Sequence, residues 1–283
     1  MALTIPIDVK DRVVVITGAA RGMGRAYVRG FLTEGARVVA ADKSWTGVED
    51  FHQELLGGKN VLVAEVDVTN DEQIDRAYQA ALDRFGTVDI LVNNAAMRQR
   101  DLFPPAGRVT TLQTKDPDWE RMFAVNVFGC LKVIRRFIKP MMEKRRGSIV
   151  NIVSSGILNH SPGGAYMALR PHTREMPYMA SKAALATLSF YLADEVKEYN
   201  IAVNLAIPGH TRTTGFDEQN RARLAMGGQP GPPPVVPEHI VPLVLYLASQ
   251  DASTLTGKMF DAMQWNAEHG LGGREQWQVK SFS

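Results

Sequence analysis

The sequence predicts one α/β domain built on a doubly wound parallel sheet. Three observations carry that prediction. Short β-branched runs alternate with stretches of helical periodicity, the first run opens directly into a glycine-rich turn, and the composition is that of a packed globule. Of 283 residues, 45% are hydrophobic and 22% charged, enough to close a full core and inconsistent with a disordered or fibrous chain. Length alone allows two domains, but the unbroken alternation favours a single one over residues 1–264, with 265–283 as a C-terminal tail.

The elements follow in order. Residues 12–16, RVVVI, form a strand buried on both faces that ends at Thr17-Gly18. Residues 26–34 carry Ala26, Tyr27, Phe31 and Leu32 at helical spacing, and Gly35 sits where that helix stops. The pattern then repeats: strand 37–41, strand 61–66, helix 71–85, strand 90–93, helix 119–142, strand 148–153, helix 178–199, strand 201–207, helix 240–248 and a last strand 258–261. Two stretches interrupt the rhythm as inserted loops: 97–117 with three prolines, and 214–237, which contains QPGPPPVVP. In this architecture such loops lie over the carboxyl ends of the strands, where a ligand binds.

Composition also excludes. Lys plus Arg is 32 and Asp plus Glu is 30, a net charge of +2, too balanced to point to a nucleic-acid or anionic-membrane partner. The lone Cys130 excludes an intrachain disulfide framework and a four-cysteine zinc site. His160, His239 and His269 have no ligand spacing, so no metal site is expected. Residues 1–12 lack the basic start and apolar run of a signal peptide, and no apolar run approaches membrane-spanning length; a cytoplasmic protein is expected.

Four groups of residues carry chemistry. TGAARGMG, Thr17 to Gly24, lies between a strand and a helix. Gly18 permits the tight turn, Gly22 lets backbone approach a pyrophosphate, and Gly24 permits close helix packing, while the helix N-terminus offers N–H groups to an anion. Asp42 ends the second strand, where a carboxylate accepts from ribose hydroxyls and repels a 2′-phosphate. This favours NAD over NADP, although Arg21 and Lys43 stand near enough in sequence to partner a phosphate. Tyr178 and Lys182 lie four residues apart on one helix face. At about 4 Å and an effective dielectric near 20, the ammonium would favour phenolate by roughly 4 kcal/mol, about three pKa units. Ser154 follows the 148–153 strand and can polarise a carbonyl. Taken singly, each group has a plainer reading: a tight turn, a solvated aspartate, a core tyrosine beside a solvated lysine, a turn-forming serine.

Taken together, TGAARGMG, Asp67-Val68-Thr69, Asn93-Asn94-Ala95-Ala96, Asn126, NIVSS and YMASK resemble, in order and placement, the short-chain dehydrogenase/reductase family over about residues 10–261. The resemblance implies a Rossmann-type fold with Tyr178 as general acid or base, Ser154 on the substrate oxygen, Lys182 on the nicotinamide ribose and Asn126 in a water relay. It also implies a cofactor trough. Gly18, Arg21, Gly22, Met23 and Gly24 would meet the pyrophosphate side, Asp42 the ribose, and Asp67 the adenine. Val68, Asn93, Asn94 and Ala95 would line the trough, and Pro208, Gly209, Thr211 and Thr213 the nicotinamide end.

Three departures from the family stand out. The interval from Ser154 to Tyr178 is about ten residues longer than usual, which implies an inserted loop over 157–177, and contains Tyr166-Met167-Ala168-Leu169-Arg170, which mimics YMASK but places arginine where lysine is needed. NNAA replaces the usual NNAG, and Asp261-Ala262-Met263 lacks the customary double glycine.

The reading is an NAD(H)-dependent oxidoreductase that interconverts a secondary alcohol and a ketone. An NADP(H)-dependent ketone reductase and a catalytically silent nucleotide-binding scaffold are its alternatives. Arg98, Arg100, Arg108, Arg170, His172, Arg174, His210 and Arg212 fall in or beside the loops; they allow an anionic substrate, with solvated loop charges as the plainer reading. Met122, Phe123, Val127 and Leu131 suit core or subunit packing, and the resemblance implies a homotetramer or homodimer.

Overall fold

In a computed structural model that describes residues 6–157, 175–227 and 233–280, seven parallel strands form one sheet in the order β3-β2-β1-β4-β5-β6-β7. They are β1 Val13–Thr17, β2 Arg37–Asp42, β3 Val61–Glu65, β4 Ile90–Asn93, β5 Gly147–Ile152, β6 Ile201–Ile207 and β7 Met259–Asp261. Every residue of β1, β4, β5 and β6 is buried, because both faces of the sheet are covered. The pleat divides each strand between two cores. Val14, Ile16, Val38, Ala40, Ile90 and Val92 pack on one side, whereas Val13, Val15, Val39, Ala41 and Leu91 pack on the other.

The helices α1 Gly22–Thr33, α2 Glu49–Leu56, α10 Val241–Ser249 and α11 Ala262–Glu268 contribute to the first core, through Tyr27, Phe31, Phe51, Leu243 and Trp265 among others. The helices α3 Asp71–Phe85, α6 Cys130–Phe137 and α8 Tyr178–Glu195 supply the second, through Ile74, Ile134 and Leu185. Short helices α4 Gln99–Leu102, α5 Asp116–Phe123, α7 Lys139–Glu143, α9 Phe216–Ala225 and α12 Arg274–Trp277 complete the chain. Strand order reverses between β1 and β4, so a crevice opens at the carboxyl ends there. Among the described residues no helix is long and apolar enough to cross a membrane.

The strands match the expected ones to within a residue or so, as does the long helix after β3, whereas the expected 178–199 helix ends at Glu195 and gives way to a 3-10 turn Lys197–Tyr199. The expected 119–142 helix differs. It starts at Asp116, relaxes into a π-helical stretch Ala124–Gly129 and breaks before Lys139–Glu143, where Pro140 has no N–H to donate. Gly129 in that stretch lies so close to β3's exit that a Cβ would sit 2.7 Å from Val68 Cγ2. Five helices fall where no element is expected: α2, α4, α9, α11 and α12. Nor is the segment after residue 264 a loose tail. Trp265 is 2% exposed, Asn266 donates to the carbonyl of His239 at 2.7 Å, and Gln278 bridges to Val235, so this segment closes over the loop before α10. The expected 157–177 insertion lies outside the described residues from 158 to 174, including the Tyr166 motif, His160, Arg170, His172 and Arg174.

The β1–α1 turn is the tightest contact in the fold. A Cβ on Gly24 would sit 1.9 Å from the Gly18 carbonyl oxygen, whereas one on Gly57, at φ −80°, meets nothing within 4 Å. Gly24→Ala is expected to cost about 3 kcal/mol or more. Gly57→Ala should gain about 0.4–1 kcal/mol through the unfolded chain. Urea unfolding of both variants checks the contrast, and equal stabilities would contradict it.

Candidate active site

The crevice at the carboxyl ends of the strands has a volume of about 570 Å³ and gathers nearly all the expected site residues. Gly18, Arg21, Gly22, Met23 and Gly24 line one end, with Asp42, Asp67 and Val68 beside them; Asn94 and Ala95 line the middle; Ser154, Tyr178, Lys182, Pro208, Gly209, Thr211 and Thr213 line the other end. Asn126 does not line it, and neither does Asn93, which ends β4 buried and donates to Asn151 Oδ1 at 2.8 Å. Met97, Val125 and Val153 add apolar wall, as does Ala96, which stands where the family has glycine.

The glycine end is built by backbone proximity. Gly18 and Gly22 have φ of +66° and +52°, a region that side chains rarely tolerate. A Cβ on Gly22 would come within 3.2 Å of Thr213 Cγ2 across the crevice. No side chain caps α1, which leaves its first N–H groups available to an anion. Asn94 Nδ2 donates to the carbonyls of Thr17 and Gly18, both at 3.0 Å, and the N–H groups of Asn94 and Ala95 each donate to Thr17 Oγ1 at 3.1 Å.

Asp42 accepts from the N–H of Ala20 at 2.9 Å and of Ser44 at 3.2 Å. The Arg21 guanidinium donates to the carbonyls of Ser44 and Thr46. Asp67 accepts from the N–H and hydroxyl of Thr69 at 2.8 and 2.7 Å. Burial alone would raise its pKa; the Thr69 bonds and Lys43 outweigh that and hold it below the usual carboxylate value. These carboxylates and the glycine turn form a cradle whose donors and acceptors suit an extended dinucleotide.

At the other end, Ser154 sits two residues beyond β5, and its hydroxyl accepts from the Gly156 N–H at 3.4 Å. Ser155 opens a 3-10 turn instead and does not line the crevice. Lys182 is 3% exposed, donates to the Ile152 carbonyl at 2.8 Å, and has its nitrogen 5.9 Å from the centre of the Tyr178 ring. The expected acidification of the phenol does not occur. Burial, and then the Glu175 carboxylate, raise the Tyr178 pKa, against which Arg98 and, least of all, the Ser154 hydroxyl pull only weakly. Desolvation also pushes Lys182 down to about 8. Burial is the largest influence on both groups and disfavours both charges.

Asn126, 1% exposed, lies one layer behind. Its Oδ1 accepts from the Met97 N–H at 2.8 Å, and its Nδ2 meets the Met97 carbonyl and Ser181 Oγ, both at 2.9 Å. It therefore ties the loop after β4 to helix α8. The π-helical stretch around it re-aims the side chain inward.

Of the loop cations, Arg98 forms an ion pair with Asp101 at 2.8 Å, and Arg212 pairs with Asp217. Arg108 does not line the crevice. A side pocket of about 170 Å³ adjoins at Tyr178 and is lined by Arg98, Arg100, His210 and Arg223 with Glu175. Sequence reading missed Arg223 and Glu175. A helical signal was available in FDEQNRARLA, with acids in its first turn and Arg223 in its last.

Fold and crevice together define a nucleotide-binding α/β oxidoreductase class. The chain belongs to the short chain dehydrogenase family, whose model matches residues 12–224. It is 49% identical over 271 residues to a fluoren-9-ol dehydrogenase of Terrabacter sp., covering 96% of this chain and 76% of that one. It is 29% identical over 258 residues to a 3-oxoacyl-(acyl-carrier-protein) reductase of Vibrio cholerae, covering 89% and 96%. A solved 3-ketoacyl-(acyl-carrier-protein) reductase from Brucella melitensis, complexed with NADH, superposes with a TM-score of 0.73 at 26% identity, over 90% of this chain and 97% of that one.

The buried lysine makes stability depend on pH. Its folded pKa, about 8, lies below its ordinary 10.5, so the folded state binds the proton less well than the unfolded chain does. The penalty is absent above the unfolded value, grows as pH falls from 10.5, and is complete below about 8. The stability of the parent relative to Lys182→Met should therefore rise by about 3 kcal/mol between pH 7 and pH 10.5. Urea unfolding of both proteins at the two pH values measures this, and a flat difference would refute it.

Proposed function

We propose that this chain is an NAD(H)-dependent dehydrogenase that interconverts a secondary alcohol and its ketone, with aryl carbinols as the favoured substrates. The single observation that carries the reading is the convergence of Ser154, Tyr178 and Lys182 at one end of a crevice whose other end is the glycine cradle. The nearly half-identical fluoren-9-ol dehydrogenase supports the alcohol class, and the apolar wall of Met97, Val125 and Val153 suits an aromatic body.

When bound, the nicotinamide supplies the hydride acceptor or donor. Ser154 holds the substrate oxygen beside Tyr178, and the Tyr178 hydroxyl takes the alcohol proton or returns it to the ketone oxygen. A phenol with a raised pKa holds its proton firmly, which suits the donor role in ketone reduction. Lys182, poised near 8, reaches the ribose side of the crevice and exchanges its own proton near neutral pH. Asn126 positions Met97 and Ser181 around this centre.

Asp42 supports NAD because its carboxylate accepts from ribose hydroxyls and repels a 2′-phosphate. NADP is the second reading, and Lys43, which also lines the crevice, favours it. Arg21 offers that reading less, since its guanidinium is already spent on Ser44 and Thr46. An oligomer, a homodimer or homotetramer, and a cytoplasmic setting complete the proposal.

Oxidation of fluoren-9-ol and simpler aryl carbinols, followed by the near-ultraviolet absorbance of reduced nicotinamide with each cofactor, tests the reading. NAD binding without turnover of any alcohol or ketone would replace it with the scaffold reading. Tyr178→Phe is expected to lower kcat by about 10²–10⁴-fold with cofactor binding retained. Asp42→Ala should move the NAD/NADP preference toward NADP by about tenfold or more, measured as the ratio of kcat/KM values.

A further inference from the structure

The side pocket beside Tyr178 carries unbalanced positive charge. Arg100 is 9% exposed, and its guanidinium donates only to neutral acceptors: Gln219 Oε1 at 2.8 Å, Thr213 Oγ1 at 3.3 Å and the Thr214 carbonyl. No carboxylate lies within ion-pair distance of it among the described residues, and burial, followed by Arg98, lowers its pKa to about 10. Arg223, half-buried on α9 one helical turn after Gln219, lines the same pocket. Its Nε is shut off from water and has no hydrogen-bond partner.

A buried guanidinium nitrogen without an acceptor costs free energy, and a second guanidinium in the same pocket raises that cost. Glu175 is the one carboxylate in the pocket wall, set against Arg98, Arg100 and Arg223. Arg98 is already neutralised by Asp101. Among the described lining residues one carboxylate faces two remaining guanidiniums, and Glu218 acts on Arg100 only from beyond ion-pair distance. The pocket shares Tyr178, Gly209, Thr211 and Thr213 with the crevice, so a substituent in it stays attached to a carbinol held at Ser154 and Tyr178. About 170 Å³ accommodates a small planar anion, and a guanidinium fork matches a carboxylate.

We propose that this pocket is a subsite for a carboxylate on the substrate, with Arg223 as its principal partner and Arg100 as the fixed charge behind it. The inference rests on the dehydrogenase reading and narrows its substrates to secondary alcohols or ketones bearing a carboxylate a few bonds from the carbinol. Arg100 also holds α9 to the loop after β4, so Arg223 is the better residue to vary.

The test uses the full chain with NAD and two kinds of substrate: α-methylbenzyl alcohol, and its meta- and para-carboxy derivatives. The parent is expected to favour at least one carboxylated isomer in kcat/KM, with the preference shrinking as salt rises. Arg223→Gln should lower the carboxylated-to-neutral ratio by about tenfold or more, and Arg223→Lys should retain part of it. Calorimetric binding of benzoate and benzamide to both proteins gives a readout independent of turnover, with benzoate preferred by the parent and the preference lost in Arg223→Gln. Turnover of the neutral alcohol with no carboxylate preference in rate or binding would overturn the subsite and leave the dehydrogenase standing. Benzoate preference without turnover of any alcohol would support the pocket and overturn the dehydrogenase.

Discussion

The side-chain amide of Asn94 holds the whole crevice open at one point. It donates to the carbonyls of Thr17 and Gly18 where β1 and β4 part company and strand order reverses. Thr17 Oγ1 answers by accepting from the N–H groups of Asn94 and Ala95. These bonds satisfy backbone groups that lose their ladder partners as the strands end. Helix α1 then presses Gly24 against the Gly18 carbonyl so closely that no side chain fits. The turn is thus clamped between a strand end and a helix start, and its shape does not depend on a ligand to form it.

A second feature of the site is the burial of charge. Lys182 and Tyr178 come together as their helical spacing requires, yet desolvation governs both groups and pushes them toward their neutral forms. The interior favours a tyrosine that keeps its proton and a lysine that gives it up readily. Glu175, one turn before Tyr178, adds to the same tendency. Charge near this end of the crevice is therefore costly, and the guanidiniums of the side pocket stand out against that background.

Much of the framework was legible before any coordinate. β-Branched runs such as VVVI and ILV are buried on both faces only in a covered parallel sheet, and the glycine turn, Asp42, Ser154 and Tyr178 sit where strand ends place them. Helices α4 and α9 were hidden by proline and charge in their neighbourhoods, and α2 by its shortness. Their stability comes from packing, as with Phe51 and Leu55 against the first core, rather than from local propensity. Arg223 and Glu175 were missed for a related reason: the local pattern of FDEQNRARLA marks a helix but not a pocket, and only the meeting of α9, the loop after β4 and the start of α8 makes the two residues neighbours.

The sequence by itself determined the order of the strands and of the long helices between them, the turn where glycine is obligatory, and the residues set at strand ends, because periodicity and backbone conformation are local properties. Tertiary structure alone decided which charges are buried, which of them find partners, and that residues past 264 close over the loop before α10. Those outcomes depend on distances between segments far apart in the chain. Desolvation, which raises the Tyr178 pKa where helical spacing alone predicts a fall, acts only once those segments have packed together.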